Sequence, residues 1–191
     1  MAFERLYTES LKTFIRQENQ DKYHIIQTFH WLGTTVHSQL RRLGMGAIYI
    51  GLAFFWFYLP YLFEIDLPRV LVGLIWGTVG GLGIAICGAW KDAFIEGFEP
   101  TKFLRSPYVG AAWGLVFSIF TTDYSLLLFA CIGAERMTVE FYKTFIVRKH
   151  AKFSATVPVF PEWLEKRRRF IFPYALTWAV FFALLITFQV A

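Results

Sequence analysis

The sequence predicts an all-α fold: a polytopic bundle of about five transmembrane helices, preceded by an amphipathic helix at the membrane interface. Hydrophobic residues make up 56% of the 191 residues and charged residues 17%, whereas soluble domains usually carry about 25% charged residues. Several apolar runs are long enough to cross a bilayer, and nearly all Lys and Arg residues lie outside them. These observations indicate that lipid, and not water, surrounds most of the chain.

Apolar segments of sufficient length define the predicted spans. A hydrocarbon core about 30 Å thick needs roughly 20 apolar residues in a helix, because backbone groups left unpaired in lipid are costly. Three segments meet this requirement without a charged side chain, at residues 43–63, 70–90 and 170–190. The apolar block at residues 106–134 is interrupted by Asp123. It forms either one long helix or a hairpin of two spans, at about 106–122 and 124–147.

The distribution of basic residues favours the hairpin. With five spans, all but one of the 19 Lys and Arg residues lie on the side of the N-terminus, and only Arg69 lies opposite. With one long helix, the basic stretch at 136–169 would have to cross the membrane. Because Lys and Arg accumulate in cytoplasmic segments, we predict a multi-pass protein with its N-terminus on the cytoplasmic side and its C-terminus opposite. The outer connections are then short and acidic, with Glu64, Asp66 and Asp123.

Residues 1–42 are predicted to form an amphipathic interfacial arm, and residues 43–191 the transmembrane domain. Helical spacing of apolar residues predicts a helix over 25–43. The apolar face of this helix consists of Ile25, Phe29, Leu32, Val36, Leu40 and Leu43. A noisier pattern of the same kind precedes it, at Phe3, Leu6, Tyr7, Leu11, Phe14 and Ile15. Binding to anionic lipid and docking against a partner subunit both account for such an arm. The arm is too charged for a secretory signal, so insertion is expected to use the mature helices.

Histidines and cysteines offer no metal or haem site in this reading of the sequence. His30 and His37 share a face of the predicted helix, and interfacial polar residues are a simpler interpretation than a cofactor site. No histidine lies in a predicted span, so an axial haem ligand has no candidate there. Cys87 and Cys131 lie in apolar runs without the spacing of a metal or redox pair, so we interpret them as packing residues.

Glycines recur every four residues in the second and third predicted spans. They are Gly73, Gly77 and Gly81 in the second span and Gly110 and Gly114 in the third. Small residues at this spacing let helix backbones approach closely in lipid. The pattern predicts that the two spans touch. The alternative is a ligand held against bare backbone.

Charged residues gather near the predicted inner face. The carboxylates, which are also the catalytic candidates, are Asp92, Glu96, Glu99, Glu135 and Glu140. The cations, which are candidate phosphate ligands, are Lys102, Arg105, Arg136 and Lys143. If the second span continues to Pro100, the first three carboxylates share one helix face. Ser106 and Pro107 are expected at the cap and first turn of the third span.

Two interpretations of this charged cluster remain open. It is either an ion-pair network, or a site in which the carboxylates hold Mg²⁺ and the cations bind the phosphate of a lipid or isoprenoid. No other cofactor is predicted. The sequence has no nucleotide-binding glycine loop, Ser/His/Asp order or H-E-x-x-H motif.

The composition favours a structural function over catalysis. We expect an accessory or structural subunit of a larger membrane complex, with energy-converting complexes as the leading class, and with lipids and other membrane subunits as its partners. Nucleic acid is not an expected partner. The alternative is a membrane enzyme or carrier that acts on a phosphorylated lipid or isoprenoid at the inner leaflet. A third hypothesis is a small transporter with Glu135 as the proton site.

Overall fold

A computed structural model describes residues 2–17, 28–62, 67–121, 123–146 and 166–190. The described chain is mostly helical, which confirms the all-α class. The chain divides into two compact units, unit 1 at Met1–Met137 and unit 2 at Thr138–Ala191.

The helices have the following bounds. In unit 1 they are α1 (Ala2–Ser10) with a π-helical continuation at Leu11–Ile15, α2 (Gln39–Leu62), α3 (Arg69–Glu96) and α4 (Pro100–Phe117). The fifth helix, α5 (Tyr124–Phe141), contains the boundary between the units. Unit 2 continues with a π-helical segment at Tyr142–Ile146, a 3-10 segment at Arg167–Phe170 and α6 (Ile171–Val190).

Among the described residues, two helices are long and apolar enough to cross a membrane, judged by length and composition. They are α2 over Gln39–Tyr58 and α3 over Arg69–Trp90. The apolar part of α6, Ile171–Thr187, is shorter. These helices coincide with the first two predicted spans, and the count of five spans goes beyond what they establish.

The chain breaks between α4 and α5, as the hairpin interpretation predicts. Helix α4 ends at Phe117 and α5 begins at Tyr124. The backbone N–H of Leu126 donates to Asp123 Oδ1 at 2.7 Å. An aspartate in this position satisfies a free N–H group in the first turn of the new helix. The alternative of one unbroken helix is therefore wrong.

Helices α3 and α4 pack along a line of backbone contacts that we call the glycine seam. It pairs Gly73 with Gly114, Gly77 with Gly110, and Gly81 with the backbone of Ser106. The pairing runs in opposite directions along the two helices, so they are antiparallel. A Cβ atom on Gly77 would collide with the carbonyl oxygen of Gly110. The seam therefore requires glycine at these positions.

Helix α3 does not continue to Pro100. It ends at Glu96 because Gly97 has a φ of 78° and donates its N–H to the carbonyl of Ala93 at 2.8 Å, which is a common way for glycine to end a helix. Glu99 then precedes the first residue of α4. The expectation that Glu99 shares a helix face with Asp92 and Glu96 is wrong.

The prediction that a helix begins at Ser106 and Pro107 is also wrong. Helix α4 begins at Pro100, and Pro107 lies inside it. Pro100 takes the first helical position, where its missing N–H costs nothing. Ser106 and Pro107 are buried within the helix instead of capping it.

A β-hairpin replaces part of the helix predicted over 25–43. Strand β1 (His30–Trp31) pairs antiparallel with β2 (Thr34–Thr35), and helical structure resumes at Gln39. Residues 18–27 lie outside the described residues. The predicted helix is therefore wrong from residue 28 to residue 38.

Local chemistry explains the hairpin. Leu32 and Gly33 form its two-residue turn with φ angles of 48° and 81°, a turn in which both central residues have positive φ. Glycine adopts this geometry readily and disfavours helix, while Thr34 and Thr35 are β-branched and favour strand. These local preferences outweigh the spacing of the apolar residues, which predicts a helix. The shared helix face expected for His30 and His37 does not exist.

Arg42 ties the N-terminal segment to α2. Its side chain is 6% exposed. Its Nε and Nη2 donate to the carbonyl oxygen of Thr13 at 3.3 and 3.1 Å, and Nη2 also donates to that of Arg16 at 2.7 Å. Gln39 Nε2 donates to the carbonyl of Ile15 at 3.1 Å. These contacts satisfy carbonyl groups at the end of a helical segment, where a cation also matches the helix dipole.

Aromatic packing holds the same segment in place. Phe14 is buried against Gly46 of α2, and its ring centroid lies 5.4 Å from that of Phe29 and 5.6 Å from that of Tyr49. At the other end of α1, Ala2 lies close to Gly133 of α5. The N-terminal helix therefore packs within unit 1, against α2 and α5.

Helix α5 supplies the centre of unit 1. Leu127, Leu128 and Cys131 are almost completely buried. Leu128 packs beside Gly80 of α3, and Phe129 stacks on Phe57 of α2 with ring centroids 4.1 Å apart. Helix α5 thus contacts both α2 and α3.

Unit 2 has a small aromatic contact of its own. Tyr174 of α6 lies 5.7 Å, between ring centroids, from each of Phe141 and Phe145. Most of the other described side chains of α6 are exposed. The apolar surface of α6 is therefore largely exposed in the part of the chain that the structure describes.

The variant Gly77→Ala is expected to lower the melting temperature of the protein in detergent. The new methyl group would meet backbone, which cannot rotate away, and overpacking of this kind costs about 1–3 kcal/mol. Gly83→Ala is the matched control, because it is in the same helix and nothing lies within 4 Å of its Cβ position. Equal melting temperatures for the two variants would contradict the seam.

Candidate functional site

The structure describes three of the five candidate carboxylates. Glu135 and Glu140 lie on α5, and Glu99 lies just before α4. Asp92 and Glu96 belong to α3, but their side chains are outside the described part of the chain. The charged cluster can therefore be assessed from Glu99, Glu135, Glu140 and the four cations.

Glu135 is the most unusual carboxylate. Its side chain is 0% exposed. It follows Cys131 by one helical turn, on the same buried face of α5. Burying a carboxylate costs several kcal/mol unless other groups compensate it. Glu135 is thus a component of the core of unit 1, and solvent does not reach it in this conformation.

Glu140 has a different environment. It lies in unit 2, where Lys143 Nζ approaches Glu140 Oε1 at 3.8 Å. The two side chains are 38% and 45% exposed. Exposed pairs of this kind contribute about 0–1 kcal/mol, so this pair is a weak surface interaction.

The remaining charged residues lie around the start of α4 and in the second half of α5. Glu99 is exposed and accepts a hydrogen bond from Thr101 Oγ1 at 3.1 Å. Lys102 and Arg105 are half-buried on α4, and Arg136 is half-buried on α5. The Nε atom of Arg105 is buried and has no hydrogen-bond partner among the described residues.

The described side chains do not form a metal site. Within the described ranges, no three His, Cys, Asp or Glu side chains lie close enough together to hold a metal ion. Glu99 is exposed, Glu135 is fully buried, and Glu140 is partly exposed beside Lys143. The Mg²⁺ hypothesis therefore depends on Asp92 and Glu96, whose side chains are outside this description.

A second candidate site lies along α2, and we call it the aromatic groove. Its volume is 540 Å³, within the roughly 300–1,000 Å³ typical of ligand pockets. It is lined by Leu6, Ile50, Ala53, Phe54, Phe57, Tyr58, Tyr61, Ser125 and Phe129. Its walls are almost entirely apolar. The groove therefore suits a hydrocarbon chain or an apolar side chain better than a polar substrate.

Hydrogen bonds connect α2 and α5 at one end of the aromatic groove. Tyr61 Oη donates to Asp123 Oδ1 at 3.1 Å and accepts from the backbone N–H of Ser125 at 3.4 Å. Ser125 Oγ donates to the carbonyl of Phe57 at 3.1 Å. These contacts join the last turns of α2 to the first turn of α5. They also place a carboxylate beside the tyrosines at this end.

Sequence reasoning did not find the aromatic groove. It identified Asp123 only as the residue that interrupts an apolar block. The available signal was the dense aromatic run at residues 54–58, together with a second aromatic residue, Tyr124, beside Asp123. Only the packing of α2 against α5 shows that these residues border one cavity.

Comparison with known proteins assigns neither a family nor a function to the chain. The chain matches no protein family, no curated protein and no solved structure. The residues themselves therefore carry the functional inference.

Glu135→Ala is expected to destabilise the protein much more than Glu140→Ala. The first change removes a buried polar group and its interactions from the core, which costs about 3 kcal/mol or more. The second removes an exposed pair, which costs about 1 kcal/mol or less. The measurement is thermal unfolding of both variants in the same detergent. Similar losses for the two variants would show that the burial of Glu135 has no structural role.

Proposed function

We propose that this chain is a multi-pass integral membrane protein that acts as an accessory or structural subunit of a larger membrane complex. The observation that carries this proposal is the uncovered apolar face of α2. Only 11% of its apolar stretch, Gln39–Tyr58, is buried in the described structure, against 39% for Arg69–Trp90 of α3. A helix this apolar needs lipid or another protein around it.

The uncovered face of α2 is a continuous stripe. Ile48, Leu52 and Phe55 are 56%, 61% and 51% exposed, and their spacing places them on one side of the helix. The aromatic groove uses other residues of α2. The stripe therefore offers a ridge of large apolar side chains to a neighbouring transmembrane helix.

The glycine seam supports a membrane location. Lipid is as apolar as leucine, so helices in a bilayer associate through close packing of small residues. Trp31 of the hairpin packs near Trp90, at the end of the apolar part of α3, with ring centroids 5.9 Å apart. Tryptophans favour the membrane interface. In the five-span topology proposed here, this end of α3 lies on the cytoplasmic side.

A supporting role suits the structure better than catalysis. The N-terminal helix is held by a buried arginine, two helices are locked by backbone contact, and the described carboxylates have separate environments. Such a unit resembles a rigid scaffold that presents apolar surfaces. Partner subunits and lipids are the proposed occupants of those surfaces.

A membrane enzyme or carrier for a phosphorylated lipid is the second candidate. Its support is the position of Lys102 and Arg105 in the first turns of α4, where the helix dipole also attracts anions. It has less support from the described carboxylates, because no three of them lie close enough together to hold a metal ion, as a metal-assisted reaction needs.

The subunit proposal predicts that the chain, expressed at native level and purified in mild detergent, migrates in a complex far larger than its 22.2 kDa. Leu52→Trp is expected to release it from that complex, since the larger side chain disturbs helix packing but remains compatible with lipid. Ile86→Trp is the matched control, on an exposed position of α3. Migration of the unmodified chain alone as a monomer would contradict the proposal.

A further inference from the structure

We propose that the aromatic groove binds one lipid with a choline headgroup, with an acyl chain along α2 and the trimethylammonium group beside Asp123. This inference rests on the membrane location proposed above. It does not depend on which partner subunits surround the protein. The site is defined by the groove, by the tyrosines at its end and by the carboxylate that they border.

The length of the groove matches an acyl chain. Its lining residues on α2 extend from Ile50 to Tyr61, about 16 Å along a helix. One leaflet of a hydrocarbon core about 30 Å thick is about 15 Å deep. The walls are apolar along this length, and Leu6 of α1 contributes on the other side. An acyl chain that enters at the tyrosine end would therefore fill the groove without unpaired polar groups.

The tyrosine end of the groove has the chemistry of a cation site. The ring centroid of Tyr61 lies 6.4 Å from that of Tyr58 and 6.1 Å from that of Tyr124, with edge-on arrangements. Rings set at an angle in this way can present more than one face to a bound group. Aromatic faces attract quaternary ammonium ions, so the tyrosines favour trimethylammonium over a hydroxyl headgroup.

Asp123 adds charge to this end. Both hydrogen bonds described for its side chain involve Oδ1, from Tyr61 Oη and from the N–H of Leu126. The α5 dipole supplies about half a positive charge at this point, which a full carboxylate charge exceeds. The local field is therefore negative, and it complements a cationic headgroup.

The sequence between α2 and α3 also contains charged residues. The connection between α2 and α3 contains Glu64 and Asp66, which lie outside the described residues. Arg69 is the first residue of α3. We propose it as the cationic partner of the lipid phosphate. A lipid with a net negative charge would meet the carboxylate of Asp123 at this end.

Native mass spectrometry of the full chain tests the inference. The protein in detergent is titrated with phosphatidylcholine or phosphatidylglycerol that have identical acyl chains. We expect one phosphatidylcholine to be retained in preference to phosphatidylglycerol. Asp123→Asn is expected to weaken that retention about tenfold through loss of the charge, while Asn still caps α5. Glu99→Gln, an equivalent change away from the groove, is expected to have no effect.

Ala53→Phe provides an independent variant. It fills the groove but leaves the charged end intact, so it is also expected to lose phosphatidylcholine. Equal retention of the two lipids by the unmodified chain, or full retention of phosphatidylcholine by Asp123→Asn or Ala53→Phe, would overturn the site. Release of the chain from membranes by sodium carbonate would instead contradict the proposed function. A carbonate-resistant chain without a choline preference contradicts the lipid site alone.

Discussion

The backbone contact between α3 and α4 is the constraint on which unit 1 depends. Glycines at Gly77 and Gly110 bring two helices closer than any side chain would allow, and the resulting antiparallel pair places the end of α4 beside the start of α3. The turn at Asp123 then directs α5 back along both α2 and α3. Without that pair, neither the core of α5 nor the aromatic groove would have its present position.

Periodic signals in the sequence predicted part of this fold, because they report on close packing and helix length. Glycine spacing indicated where α3 and α4 approach each other, and the apolar runs located α2 and α3. Asp123 marked the break before α5, since an aspartate there caps a helix and interrupts an apolar run. Each of these features depends on residues that are close in sequence.

Features that depend on distant partners could not be predicted. The carbonyl groups that surround Arg42 come from Thr13 and Arg16. The sequence alone shows only a basic residue before an apolar run. The complete burial of Glu135 depends on neighbouring helices in the same way. The hairpin at Gly33 was missed for another reason: local turn chemistry outweighed an apolar pattern that also fitted a helix.

In the proposed topology, the chain crosses the membrane in α4 and reverses between α4 and α5. Single cysteines at Glu99 and Thr121, in a chain whose Cys87 and Cys131 are replaced by alanine, test it with a membrane-impermeant maleimide. We expect the two positions to be labelled from opposite sides of sealed vesicles, with Glu99 on the side of the N-terminus. Labelling of both positions from one side would contradict it.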